Sequence, residues 1–568
     1  MTTAQARQGV DLEAEIGLAR EAILAGDGAG AIARLTTLID TTAFNPVLHY
    51  WLSAAHGAAG DVEKQRETLR TAQAYHGLQI IKEGGGDLIQ FQQDPAYARR
   101  VGDLFYGQKL VACAALAYGR AVGQGAPDPQ LMLSYGLSLQ HQGLMEDASK
   151  VFEVAAQTFP SAAIHEFLLV SLMYVENGVE RHAREARRWA ELYAPPPDPA
   201  SLVFANEPRA DRRLRIGYVT MNFTGTQVRQ FIRPILESHD PDAVEVFLYS
   251  ADGAVEDGLP AAAIRSIGQL SDADAAALIE ADRIDVLVDL WGHAAGSRLP
   301  MFALKPAPVQ VSYMNYVQTT GMAAMDWAVL ASTISQPGMQ ALFTEKLYHL
   351  KSPVNSPFRP YVRTSPSPTP ALRKGFVTFG SFNNPCKLSD QTVRGWARVL
   401  NANPGSKLIL KYGYFADPIL QNATCARFAA AGADPDRLEF RGHTADYLEE
   451  YADVDLALDP SPCPGGTTSW DALACGVPVL TLRGDDYYAR IGLPCLEGIG
   501  MDHLIAESWD DYVRLSKTLT ADVESLDALR RRVRTAFDES PARDEIGFTR
   551  GLEAAYREMF AAWCASAF

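Results

Sequence analysis

Residues able to do chemistry gather in the stretch 459–480, DPSPCPGGTTSWDALACGVPVL. An acidic, apolar segment (453–459) leads in and reads as a short buried strand. A turn rich in Pro and Gly follows, then Thr467-Thr468-Ser469 and a helical run from about Trp470 to Ala474. Gly476 and Pro478 stop that helix, and residues 477–482 begin another strand. Small residues at a helix start leave its first N–H groups bare, and the helix dipole adds roughly half a positive charge there. The chemistry on offer is the holding of a phosphate. An ordinary strand–loop–helix joint would carry the same pattern.

The elements that must position this stretch are strands alternating with helices. Residues 214–219, 244–249, 285–290 and 309–313 read as strands of one parallel sheet. A second alternating series runs 376–382, 407–411, 438–441, 454–458 and 477–482, and helical segments follow from Trp509 to about Phe560. Two doubly wound halves facing each other over a cleft hold ligands at the carboxyl ends of their strands, where the phosphate-holding stretch lies.

The first third is different. Ala25-Gly26-Asp27 recurs as Ala59-Gly60-Asp61, and Gly102, Ala114, Tyr118 and Ala121 recur as Gly136, Ala148, Phe152 and Ala155, both at a spacing of 34. Gly143, Ala148 and Pro160 recur at 35 as Gly178, Ala183 and Pro195. That period of small, small, aromatic, small positions is the tetratricopeptide (TPR) pattern, in which antiparallel helix pairs stack and present a groove to a protein partner. Dimerisation is the alternative role for such an array. Residues 76–95, with Gly84-Gly85-Gly86, break the register and read as an irregular connector. The expected organisation is a helical repeat domain (1–195), a Pro-rich linker (196–212), an N-terminal Rossmann-like half (213–352), a second linker (353–374), a C-terminal Rossmann-like half (375–540) and a closing helix (541–568).

Composition narrows the partners. Apolar residues make up 47% and charged residues 21%, with a net charge of −17, which argues against a general nucleic-acid binder and against anchoring on an anionic membrane. Seven scattered cysteines without CxxC spacing fit reduced thiols and offer no metal site. The opening MTTAQARQGVDLEAEIG lacks an apolar signal core, and the expected location is the cytoplasm.

The assembled motifs resemble the family of TPR-containing protein O-glycosyltransferases that includes O-GlcNAc transferase and SPINDLY, which have the GT-B fold. The resemblance rests on LRIGYV (214–219), FALKPAPVQ (302–310), GFVTFGSFNN (375–384) with Lys387, GGTT (465–468) with Asp471, GVP (476–478) and Ala489-Arg490. The stretch 376–400 is similar to the fucose-transferring SPINDLY branch. The resemblance implies transfer of a sugar from a nucleotide sugar to Ser or Thr hydroxyls of a protein held by the TPR groove, with inversion and with no cofactor or metal. Lys387 then matches the family's leaving-group lysine, with Asn384 just before it. A lysine and helix amides aimed at a departing phosphate stabilise the transition state more than the ground state. Gly465, Gly466, Thr467 and Thr468 match the residues around the distal phosphate, Asp471 a ribose-binding residue, and Tyr447 a side chain stacked on the base. Arg490 matches an arginine near the cleft. Asp434-Pro-Asp436 and Asp453-Val-Asp455 look like metal-binding DxD motifs, but in this fold Lys387 and helix amides take the metal's role.

The departures lie on the sugar side. The family's histidine after the first strand, in an arrangement like D-F-x-x-H-P, is replaced by Thr226 in NFTGTQ (222–227). The signature G-Y-P-G-T-[ST]-G is NYVQTTG (315–321), and a histidine found before the two threonines in animal enzymes is Gly466. His293 is retained in a family-like position and could serve as acid–base or sugar contact. These changes leave open the donor sugar and its nucleotide (UDP, GDP or CMP). Flagellin modified from a CMP-nonulosonic acid is one acceptor–donor pair that fits a short TPR array. A catalytically inactive TPR adaptor is the competing reading, and a GT-B enzyme acting on a glycan or lipid a third.

Overall fold

Each Ala-Gly-Asp triplet ends one helix and starts the next. Gly26 and Gly60 take φ of +84° and +83°, the left-handed conformation that closes a helix, while Asp27 and Asp61 accept the exposed Gly30 and Lys64 N–H groups. In this computed structural model, which describes residues 11–42, 45–125, 127–361 and 367–566, the helices are α1 (Leu12–Leu24), α2 (Gly28–Thr41), α3 (Pro46–Ala58), α4 (Val62–Glu83), α5 (Leu88–Gln93), α6 (Pro95–Gly107), α7 (Val111–Gln124) and α8 (Pro129–Gln140). The first ten residues and positions 362–366 of the expected second linker lie outside the described residues. The expected irregular connector at 76–95 is instead mostly helical. α4 runs on to Glu83, the three glycines end it, and Asp87 and Asp94 cap the two helices that follow. Apolar residues such as Ile81 and Phe91 hold this stretch in the core, which overrides the break in the repeat register.

The chain divides into two compact units. The first holds residues 1–144, 375–445 and 516–521. Here the repeats share a single core with the α/β residues: Ile419, Ala423, Ala426 and Ala429 of the helix Pro418–Ala430 are buried among Ala54, Ala55, Leu69, Ala72 and Ala117. Small residues on both sides let these helices meet closely, and Gly102 is fitted against the Tyr118 ring, where a Cβ would come within 2.6 Å. Asp417, fully buried, caps two helices at once, accepting Ala112 N at 2.8 Å and Ile419 N at 2.9 Å. The strands Thr378–Ser381, Lys407–Lys411 and Leu438–Arg441 pair in parallel with the second in the middle.

The second unit holds residues 145–374, 446–515 and 522–568. Its helices α9 (Met145–Thr158), α10 (Ala162–Leu172) and α11 (Val179–Tyr193) precede a seven-stranded parallel sheet of order β3-β2-β1-β4-β5-β6-β7. The strands are β1 (Leu214–Thr220), β2 (Val244–Ser250), β3 (Ala263–Ser266), β4 (Val286–Asp289), β5 (Val309–Tyr313), β6 (Trp327–Ala331) and β7 (Lys346–Leu350). Chain order reverses between β1 and β4, which opens a ligand crevice at their carboxyl ends. Leu169, Ala186 and Trp189 share a core with Leu287, Met301 and Phe302, so α10 and α11 are built onto this sheet. Three further parallel strands, Leu456–Leu458, Val479–Leu482 and Ile505–Ala506, accompany the helix Thr467–Ala474. The last helix, Glu545–Ser566, returns to β1 and β2: Glu553 accepts from Asp240 N at 2.8 Å, and the Tyr218 hydroxyl donates to Tyr556 at 3.5 Å.

No helix among the described residues is long and apolar enough to cross a membrane.

Candidate active site

Within the second unit, the carboxyl ends of β1, β4 and β5 open into a cleft of about 520 Å³. Thr220, Asn222, Thr224, Gln227 and Phe231 line it from the segment after β1, Leu290 and Trp291 from that after β4, and Met314, Asn315 and Val317 from that after β5. Gly466, Thr467 and Trp470, at the start of the 467–474 helix, form a further part of the lining, with Tyr488 and Ile491 beside them. Among the described residues lining it, none carries a formal charge. The electropositive feature of this lining is therefore the N-terminus of the 467–474 helix, whose Ncap, Gly466, has no side chain to cap it.

That helix start is held from behind. The Asp459 carboxylate accepts Gly465 N at 3.2 Å and the Ser469 hydroxyl at 2.9 Å, and the Tyr451 hydroxyl donates to the Thr468 carbonyl at 3.0 Å. Gly465 is required by this packing, since a Cβ there would come within 2.1 Å of Ser469 Oγ and 2.7 Å of Asp459 Oδ1. Gly466 is not, because a Cβ there would meet nothing within 4 Å. The space beside Gly466 belongs to the cleft.

Asp471 lies one helical turn beyond Thr467, is only 2% exposed and, like His293, does not itself line the cleft. Its carboxylate accepts the Tyr447 hydroxyl at 2.7 Å and the Gln230 side-chain amide at 3.0 Å. Burial raises the acid and the two hydrogen bonds oppose the rise, which leaves it at about 6. Tyr447, expected to stack on a base, has its hydroxyl committed to Asp471, and burial and that carboxylate raise its phenol well above the usual value.

His293 does not line the cleft. It is fully buried beneath it, its Nε2 2.9 Å from the Thr320 carbonyl and its ring set edge-on to Trp189 of α11 at 4.4 Å. The turn after β4 points its side chain toward Trp189 of α11. Asp289 makes that turn, accepting Gly292 N at 2.8 Å and Trp291 N at 3.2 Å. Gly292 takes φ +65° and lies against Tyr316, whose hydroxyl is 2.5 Å from His182 Nε2 on α11. Thr226 is exposed at the rim; its neighbours Gly225 and Gln227 line the cleft. Arg490 turns away from the lining and donates to the Ser335 carbonyl at 3.2 Å and to the Gln336 side chain at 3.3 Å.

Asn384 and Lys387 belong to the first unit, in the turn after the Thr378–Ser381 strand. Asn384 caps this turn through Cys386 N at 3.1 Å and donates to the Tyr412 hydroxyl at 3.1 Å, while Lys387 is half-buried. A repeat turn lies directly against it: Gly143, at φ +79°, has no room for a Cβ, which would come within 2.7 Å of the Pro385 carbonyl. The second unit thus brings together Gly465, Gly466, Thr467, Thr468, Asp471 and Tyr447 with the Thr226 rim, and the first holds Asn384 with Lys387. Gln230, Asp459 and Asp289 were missed as site residues.

The sequence model of glycosyl transferase family 41 matches residues 198–354 and 367–551, which include both groups of residues. The chain belongs to this family. Among its relatives is the probable UDP-N-acetylglucosamine–peptide N-acetylglucosaminyltransferase SPINDLY of Hordeum vulgare, 32% identical over 417 residues, which cover 70% of this chain and 43% of the barley protein. The corresponding SEC protein of Arabidopsis thaliana is 29% identical over 374 residues, 62% of this chain and 38% of its own. The chain thus spans less than half the length of these curated relatives. A Lys-to-Met variant of the O-GlcNAc transferase of Thermobaculum terrenum superposes over the whole of both chains with a TM-score of 0.75 and 28% identity. The family 41 fold seen here is a helical repeat array followed by the two Rossmann-like halves of GT-B.

Proposed function

We propose that this family 41 member is an inverting protein O-glycosyltransferase that moves a sugar from a nucleotide sugar to a Ser or Thr hydroxyl. The observation that carries the reading is the cleft without charged lining residues onto which Gly466 and Thr467, at the N-terminus of the 467–474 helix, open. Such a terminus suits a donor's phosphates, and Asp471, one turn along, suits its ribose. As the glycosidic bond breaks, charge collects on the departing nucleoside diphosphate; the helix amides suit that charge, and the family resemblance gives Lys387 the same role in place of a metal ion. The repeat helices hold the acceptor protein, with flagellin one candidate.

The rim supports a donor other than UDP-GlcNAc. Threonine at 226 is shorter than the family's histidine and does not change charge near neutral pH, so Thr226→His is expected to leave the native reaction no faster. The test combines thermal shift with UDP, GDP and CMP and transfer from UDP-GlcNAc, GDP-fucose and a CMP-nonulosonic acid onto the cell's abundant exported proteins, including flagellin. Efficient transfer from UDP-GlcNAc alone overturns the donor claim. Transfer from none, with acceptor binding intact, favours the adaptor reading that the loss of the histidine supports.

A further inference from the structure

Asp471 is held by a donor that no motif announces. Gln230 is fully buried and stands in the π-helical turn Val228–Ile232, directly after the exposed rim that carries Thr226. The wider turn of a π-helix displaces a side chain from the face it would otherwise occupy, and such turns cluster at functional sites. Gln230 Nε2 donates to Asp471 Oδ1 at 3.0 Å across 241 residues of sequence, while its Oε1 has no partner among the described residues. Its main-chain carbonyl accepts from Arg359 N at 2.8 Å, which fixes the backbone. A buried amide with one end unsatisfied asks for a reason, and here the satisfied end has a single task.

We propose that Gln230 is a positioning residue which, together with Tyr447, fixes the orientation of the Asp471 carboxylate that receives the ribose of the donor. The inference rests on the reading of Asp471 as the ribose-binding acid. The two donors take one carboxylate oxygen each, Oδ1 from Gln230 and Oδ2 from Tyr447, so the plane of the carboxylate is set and each oxygen keeps one lone pair that these two donors do not use. They also act on its charge. Burial raises Asp471, the two hydrogen bonds hold the rise to about 6, and loss of either donor raises it further toward neutral pH. The titratable groups facing it are the phenols of Tyr361, Tyr447 and Tyr451, and the thiol of Cys475 lies beside Tyr361 and Tyr451. Arg229 and Arg233, which flank Gln230, are engaged with Glu256 and Glu237.

Calorimetric titration of the full chain with UDP, GDP and CMP between pH 5.5 and 8.5 tests this with wild type, Asp471→Asn, Gln230→Met, Gln230→His and Tyr447→Phe. In wild type, affinity for the nucleotide that binds falls as the pH drops through about 6. Gln230→Met keeps the volume and removes the donor; affinity is expected to fall about tenfold, the scale of one hydrogen bond to a charged group. Its pH midpoint moves upward, and Gln230→His, which restores an N–H, recovers most of the affinity. Tyr447→Phe leaves the core filled and shows the same upward midpoint, so it carries the test if the methionine variant does not fold. Wild-type affinity and midpoint in both donor variants, with Asp471→Asn weakened, overturn the role of Gln230 and leave the ribose reading standing. Wild-type affinity in Asp471→Asn, or no nucleotide bound by wild type, removes the ribose reading and this inference with it.

Discussion

Lys387 offers the most direct test at the scale of single residues. Replacing it with Ala is expected to slow transfer by roughly two to three orders of magnitude, the usual loss for one charge-stabilising group, with the melting temperature little changed. Single-turnover rates under donor saturation check this, and wild-type turnover would remove the lysine from the mechanism. Asp289 makes a prediction about stability. Burial raises its carboxyl from 3.8 to about 6, so the folded chain holds a proton that the unfolded chain has lost between those values. The group therefore favours folding at low pH, and that contribution is lost as the pH rises through about 6. Relative to Asp289→Asn, wild type should gain roughly 1–2 kcal/mol between pH 7.5 and pH 5 in urea unfolding, and a pH-independent difference would contradict the assignment. Gly466 and Thr467 were legible because their spacing before a helix has a local meaning. Gln230 and Asp471 were not legible as a pair, because they lie 241 residues apart and only the tertiary fold brings them together.

At the scale of elements, the Gly143 turn is the sharpest feature. It needs a left-handed residue, and its backbone lies against the Pro385 carbonyl two residues before Lys387. Gly143→Ala is expected to destabilise by about 1–3 kcal/mol from the positive φ and the close approach together. It should also slow transfer more than a conservative core change of equal stability cost, such as Leu69→Val, and equal losses in the two variants would show that the turn acts through stability alone. Glycine at 143 was read correctly as a repeat position, yet its contact with the Lys387 turn has no sequence signature. The apolar strands β1, β2, β4 and β5 were legible from composition. β3, β6 and β7 were missed: β3 alternates half-buried with exposed residues over four positions, β7 at the sheet edge is half-buried or exposed at all but its last residue, and β6, though apolar and buried, is only five residues long and follows β5 without a helix between them. Short edge strands carry little apolar signal.

For the molecule as a whole, the repeat helices share their cores with α/β residues on both sides of the proline-rich segment that follows Tyr193. Deleting residues 1–195 strips Ile419, Ala423, Ala426 and Ala429 of their apolar neighbours and takes Trp189 and Ala186 from the sheet that holds the cleft. Burial of apolar surface is the main stabilising term, so the truncated chain is expected to be insoluble or to lose its cooperative melt. A folded truncation that still binds nucleotide, by circular dichroism and thermal shift, would refute this. The small residues at 34-residue spacing were legible as repeats, but small residues also line the 418–430 helix, and nothing in their spacing says which surface they meet.

Asp417 sets a rule for exchanging parts between family members. Because one carboxylate closes both the helix that begins at Val111 and the helix that begins at Pro418, neither helix can be transplanted without it. A chimera carrying a foreign repeat array would have to bring the matching surface of the 418–430 helix along, whereas retargeting to a new acceptor by substitutions on outward-facing repeat residues leaves that joint intact. The heritable part is the array together with the helix it rests on, and domain shuffling at the proline-rich segment would cut through the middle of it.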